Sequence, residues 1–295
     1  MMTELVKSDA VQALLDKVAG MPEPGGDDRF KAILRDMTEA MMIVIERHDV
    51  SDGELWTFVD YLQKAAPEFG LIVPGIGIEH FMDLKADRDE AEQHADAQTT
   101  PRTIEGPLFV EGAPQSDYVA KLNAAGESGE PLTIEGTIRD VDGAAIDGAV
   151  LDVWHADLSG LYSHFDSSQP AFNNRAKIIP SADGGYKIET IMPVGYSVPP
   201  GGSTEQLLGA VGRHGDRPAH VHLLVRAPGY APLTTQINIA DDPKVHDDFA
   251  FGTRDGLVPS IDRLGNHAHI TFDLILRKAE DDAESSLSVR PRAAA

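Results

Sequence analysis

The spacing of apolar positions along the chain changes once. Through roughly the first hundred residues it is helical: Phe30, Ile33, Leu34, Met37, Met41, Val44 and Ile45 fall on one stripe. Ser51 with Glu54 three residues on matches a capping box, so a helix starts there, and Leu55, Phe58, Val59 and Leu62 continue its apolar side. Pro67 and Gly70 should break it, leaving 71–77 (LIVPGIG) as an apolar, glycine-rich connector. A further helix is expected from about Ile78 through Phe81 and Leu84 into the charged run DRDEAEQ.

Gln98-Thr99-Thr100-Pro101-Arg102 reads as a linker, and beyond it the period becomes two. Strands are expected over 133–138, 148–154, 186–191, 220–225, 233–239 and 270–276, separated by turns such as Asp140-Val141-Asp142-Gly143 and Gly184-Gly185. Short strands with turn-rich connections and no long helices between them predict an antiparallel β-sandwich. The fold class is therefore α+β: a helical N-terminal domain over 1–102, the sandwich over 103–280, and a small, polar stretch over 281–295 expected to be a mobile tail. No internal repeat is present.

Composition narrows the chemistry. The 295 residues suffice for a sizeable core, and a hydrophobic share of 42% is ordinary for a soluble globular protein. With no cysteine, the sequence offers no disulfide, thiolate metal site or thiol nucleophile, which fits a reducing compartment. The opening residues lack the apolar core of a signal peptide, and no run approaches the ~18 apolar residues of a membrane helix, so a cytoplasmic location is expected. A net charge of −23 argues against nucleic acid as a partner.

Candidate chemistry begins at Arg217-Pro218-Ala219-His220-Val221-His222, which opens one of the strands. Alternation places His220 and His222 on the same face, half of a metal site. Taken alone this is weak, because His267-Ala268-His269 repeats the pattern. Upstream, Tyr196 sits between a glycine and prolines in PVGYSVPPGG, and Tyr162 closes the turn in WHADLSGLYS. Together and in this order, these motifs resemble the intradiol ring-cleavage dioxygenases. The likeness runs from about Gly106 to Leu257 and more loosely through the N-terminal helices.

That resemblance implies one ferric ion per chain, Fe(3+), held by Tyr162, Tyr196, His220 and His222, with Tyr162 and His222 equatorial and Tyr196 and His220 axial. The donor set suits the assignment. A phenol with a pKa near ~10 is neutral at physiological pH, and a hard trivalent cation can deprotonate and hold two of them. Zinc or ferrous iron would favour imidazole and carboxylate. The implied reaction is intradiol cleavage of catechol by dioxygen to cis,cis-muconate, with Tyr196 leaving the metal as substrate binds and accepting one of its protons.

The resemblance extends to Arg217, placed to stabilise negative charge on the ring, and to Gln236, placed to orient it. Pocket positions map onto Leu71, Pro74, Ile104, Pro107, Leu108, Phe249 and Ala250. All are uncharged, which suits catechol or a methyl- or chlorocatechol; a carboxylated ring would want a cation among them. The N-terminal helices imply a homodimer, with room for a bound lipid. His155, His164, His214, His267 and His269 receive no metal role. Ser197 departs from the glycine that many relatives carry after the tyrosine. Three other readings stay open at this point: a hydroxyquinol or chlorocatechol dioxygenase, a metal-dependent hydrolase built on His220 and His222, and a non-catalytic β-sandwich binding module.

Overall fold

The computed structural model describes residues 5–93, 98–123 and 126–280; the tail expected over 281–295 lies outside them. The chain divides into two compact units, Met1–Ala66 and Pro67–Ala295, whereas the sequence placed its boundary at 102, where the apolar period changes.

The first unit contains α1 (Asp9–Val18), α2 (Asp28–His48) and α3 (Asp52–Ala65). Side chains at each N-cap supply the missing acceptors: Ser8 accepts from Val11 N–H, Asp27 from Phe30 N–H, and Ser51 with Glu54 closes the expected capping box. Arg35 ties α2 to α1 through Asp16 at 2.8 Å and Gln12 at 2.7 Å. The α2 stripe is not spent within the chain. No α2 residue is buried, and Phe30, Met37 and Met41 are 64%, 62% and 54% exposed.

The second unit opens with α4 (Phe69–Gly75) and α5 (Ile78–Gln93). The stretch read as a connector is thus mostly a short helix. Within it Gly75 serves close packing: a Cβ there would meet the Phe249 ring at 3.2 Å. Ile72, Pro74 and Gly75 are all buried, and that burial sustains seven residues which propensity alone would not. The expected linker is also pinned. Thr100 exchanges bonds with the Ile275 backbone at 3.0 and 2.8 Å, and the Pro101 carbonyl accepts from Thr235 Oγ1 at 2.8 Å.

Thirteen short strands follow among the described residues: β1 (Gln115–Asp117), β2 (Val119–Lys121), β3 (Pro131–Asp140), β4 (Val150–Trp154), β5 (Arg175–Ile179), β6 (Gly185–Ile191), β7 (Tyr196–Ser197), β8 (Asp216–Arg217), β9 (His220–Arg226), β10 (Leu233–Asn238), β11 (Asp262–Leu264), β12 (His267–Thr271) and β13 (Leu274–Leu276). One helix, α6 (Ser203–Ala210), lies between β7 and β8. One sheet runs β1-β5-β4-β9-β10 and the other β11-β12-β3-β6-β2, with β13 also on β3; β7 and β8 form a separate ribbon. Apolar residues of both sheets, among them Ile134, Ile138 and Ile188 from one and Leu151, Val221, Leu223 and Ile237 from the other, fill the core between them.

The sandwich is as expected, but it is not purely antiparallel. The pairs β1–β5, β2–β6, β12–β3 and β13–β3 are parallel. Each joins segments far apart in sequence, where no hairpin imposes an antiparallel course. The single strand expected over 270–276 is divided at Phe272-Asp273, where Asp273 turns to accept from Thr137 N–H and Oγ1, both at 2.8 Å.

Candidate active site

Alternation along β9 divides its side chains between two environments. Val221, Leu223 and Val225 enter the sandwich core, while His220 and His222 occupy the opposite face. Because β4 and β10 flank β9 in register, Trp154 and Gln236 stand on either side of His222, and Asn238 stands beside His220. The Trp154 indole stacks on the His222 imidazole with centroids 4.8 Å apart and planes 6° apart. His220 Nδ1 donates to the Pro218 carbonyl at 2.6 Å, which leaves its Nε2 lone pair free to face His222 Nε2 at 3.0 Å. Burial, then the Arg217 charge, pushes His220 down to about 3. Burial, then His220, drives His222 well below its ordinary value. Both rings are therefore neutral donors.

Tyr162 follows a turn closed by the Asp157 carboxylate, which accepts from Ser159 and Leu161 N–H at 2.8 and 2.9 Å. Its ring is buried beneath the Arg175 guanidinium at 5.7 Å, and its hydroxyl is buried without a hydrogen-bond partner. Burial, then the neighbouring Tyr196, raises its pKa well above that of a free phenol. Tyr196 arrives on β7, paired directly with Arg217 on β8. Its half-buried ring lies 5.6 Å from that of Tyr162 and 5.7 Å from that of His220. Ser197 Oγ donates to the Asp216 carboxylate in a short bond, so the departure from glycine adds a clasp to this ribbon.

Two imidazole nitrogens bound to one ion at roughly 2.0–2.1 Å and at right angles would stand about 3 Å apart, which is the spacing of His220 and His222 here. A buried, unpartnered phenol and two buried neutral imidazoles are costly groups that a hard cation would satisfy. Among the described residues no group of three or more His, Asp or Glu side chains is placed to hold a metal. The hydrolase reading therefore lacks the carboxylate-completed site it needs. The residues fit ferric iron.

Beside these groups lies a cavity of about 290 Å³. Leu71, Pro74, Ile104, Pro107, Leu108, Phe249 and Ala250 all line it, together with Tyr162, Tyr196, Arg217 and His222. His220 and Gln236 are not among the lining residues; Gln236 reaches the cavity through Arg217, whose Nη2 donates to its Oε1 at 3.0 Å. Arg217, which the resemblance places against the substrate ring, lines the same cavity, 5% exposed and paired with Asp248 at 3.0 Å. Asp248 carries no motif in HDDFAFG; the available signal is that a buried arginine needs a counter-charge. Leu161, Phe165, Val198 and Pro199, also lining, were missed for want of any pattern.

The five histidines to which the sequence gives no metal role are engaged elsewhere. His155 bonds the Ala156 carbonyl and Thr190, His214 meets Asp247, His267 meets Thr133 and His269 meets Glu135. His164 Nε2 accepts from Phe172 N–H at 3.3 Å.

A family model described as "Dioxygenase" matches residues 104–278, and one described as "Catechol dioxygenase N terminus" matches 27–94. The chain is 47% identical over 258 residues to catechol 1,2-dioxygenase 2 of Acinetobacter lwoffii, covering 87% of this chain and 94% of that protein. It is 40% identical to catechol 1,2-dioxygenase of Acinetobacter baylyi, covering 100% of both chains. Its fold matches the solved structure of catechol 1,2-dioxygenase from Acinetobacter sp. ADP1 inhibited by bound mercury with a TM-score of 0.91 and 38% identity, over 99% of this chain and 100% of that one.

Proposed function

The chain belongs to the intradiol ring-cleavage dioxygenases, and from that premise we propose that Tyr162, Tyr196, His220 and His222 hold one ferric ion with which it cleaves catechol to cis,cis-muconate. The observation that carries this reading is the meeting of two buried neutral imidazoles and two phenols at the edge of an apolar cavity. Ferric iron held by these four side chains would supply Lewis acidity toward a catechol bound beside it.

The protein's own groups do the rest. The apolar walls orient the ring and exclude water. Tyr196, half-buried on its two-residue strand, would hold the metal as a phenolate, and that phenolate Oη would take the proton of a catechol hydroxyl and become a neutral phenol. Tyr162, buried beneath Arg175, stays in place. Arg217 faces the ring with Gln236 fixing its guanidinium.

Residues 103–280 form the catalytic domain in this reading, and 1–102 serve dimerisation. The exposed Phe30, Met37 and Met41 stripe supports a homodimer through α2, with a lipid held there. Light scattering that finds a monomer at micromolar concentration, with no extractable lipid, would remove that part. Among the described residues no helix is long and apolar enough to cross a membrane, and we place the enzyme in the cytoplasm. Oxygen uptake by iron-loaded protein against catechol, methyl- and chlorocatechols and hydroxyquinol tests the assignment. Catechol should be turned over fastest; faster turnover of hydroxyquinol would change the substrate, and no uptake with any of them would remove the activity.

A further inference from the structure

Arg217 presents a problem of charge. It is the one lysine or arginine among the described residues lining the cavity. A buried guanidinium beside an aromatic pocket should attract a carboxylated ring strongly, because charges interact strongly where water is excluded. Yet apart from Glu105, itself an acid, the other residues lining the cavity carry no carboxylate or cation, and those walls suit neutral rings.

The neighbouring Asp248 resolves this. Its side chain is 1% exposed, and its carboxylate accepts from Arg217 Nη2 at 3.0 Å and from Nε at 3.2 and 3.3 Å. The same carboxylate accepts the backbone N–H groups of Ala250 at 3.0 Å and Gly252 at 3.1 Å. It is thereby fixed to the loop that carries Phe249 and Ala250 into the cavity wall. Gly252 lies close against the pair: an added Cβ would come within 2.5 Å of Arg217 Nη2 and 2.9 Å of Asp248 Oδ2. Burial opposes both charges, but the pairing, with the Ala250 N–H on Asp248 and the neighbouring tyrosines on Arg217, favours them, so the pKa of Arg217 is raised and that of Asp248 lowered. The two charges sum to zero.

We propose that Asp248 is a specificity-determining residue: by pairing with Arg217 it cancels the positive charge of the cavity wall and so excludes catechols that carry a carboxylate. The proposal rests on the catechol-cleaving reading above. A carboxylate entering the cavity must shed its water, and it finds an arginine whose charge is already matched. A neutral catechol pays no such cost. Asp248 also holds Nε and Nη2, which fixes the orientation of the guanidinium toward the substrate.

The test is the ratio of affinities for 3,4-dihydroxybenzoate and catechol, measured by calorimetry under argon on iron-loaded protein, so that turnover does not enter. Asp248→Asn keeps the shape and the acceptor for Ala250 N–H but removes the charge. It should raise the ratio by at least about tenfold, whereas Asp248→Glu, which keeps the charge, should stay within about twofold of the parent. An unchanged ratio in Asp248→Asn, or an equal rise in Asp248→Glu, overturns the proposal. Should the Asn protein not fold, Asp248→Ser retains a hydroxyl acceptor and carries the same expectation. Failure of both to yield folded, iron-loaded protein would assign Asp248 to folding alone and overturn it too. Catechol turnover by the parent, measured alongside, tests the underlying reading separately.

Discussion

Trp154 and His222 lie face to face, 4.8 Å between ring centroids and 6° between planes, on paired positions of adjacent strands. The indole fixes the plane of the imidazole and so the direction of its Nε2 toward His220. Trp154→Phe keeps a ring there and should keep iron. Trp154→Leu should release iron to a chelator more readily, with affinity reduced roughly 10–100-fold, the usual cost of losing a group that orients a ligand. Equal retention by both variants would show that the stacking does not orient His222.

The two tyrosines differ in burial, and their variants should differ in colour. Tyr196→Phe should keep iron but lose a proton acceptor, slowing turnover by ~10²–10⁴-fold. Its free form should be paler than the parent, while its anaerobic catechol complex should match the parent, since Tyr196 is displaced in both. Tyr162→Phe, at a residue 4% exposed, should alter both spectra. A larger change in the catechol-bound spectrum of Tyr196→Phe than of Tyr162→Phe would reverse the roles.

Leu71 and Ala250 both line the cavity, Ala250 fully buried. Leu71→Ala or Ala250→Gly should change the ranking of methyl- and chlorocatechols against catechol while iron stays bound. A methylene in a pocket is worth about 1–3 kcal/mol, so preference should shift without abolition. Unaltered kcat/KM ratios in both variants would remove these residues from the pocket.

What the sequence disclosed was what local pattern can carry. His220 and His222 could be read because alternation on one strand places them together, and Ser51 with Glu54 because a capping box spans four residues. Features built from distant segments were hidden. The N-terminus of α6 is capped by Glu68, which accepts from Ser203 and Thr204 N–H at 2.9 Å across more than 130 residues of chain. No local signal marks such a helix. β5 escaped notice because Arg175 opens it and one of its two partners, β1, lies far upstream and runs parallel to it. The parallel pairs and the Arg217–Asp248 bond belong to the same class: they depend on which segments meet, and a linear pattern does not encode that.

His155 should shape stability at low pH. It is buried, donates from Nδ1 to the Ala156 carbonyl at 2.7 Å and accepts from Thr190 Oγ1 through Nε2 at 2.7 Å. Burial pushes its pKa down from 6.5 to about 4. The unfolded chain therefore binds the extra proton first, so its contribution is complete above pH 6.5 and is lost as pH falls toward 4. His155→Gln should lose less stability over that window than the parent, by roughly 3 kcal/mol. Denaturant unfolding at matched pH values reads the difference, and parallel pH profiles for the two proteins would contradict it.

The most direct test of the central claim is the mass of the product formed from catechol under ¹⁸O-labelled dioxygen by the purified, iron-loaded protein. A Tyr162, Tyr196, His220 and His222 ferric centre performing intradiol cleavage predicts cis,cis-muconate, opened between the two hydroxyl-bearing carbons, with both labelled atoms retained. A product opened beside the diol, a product lacking label, or no product at all from protein with a full complement of iron would contradict it.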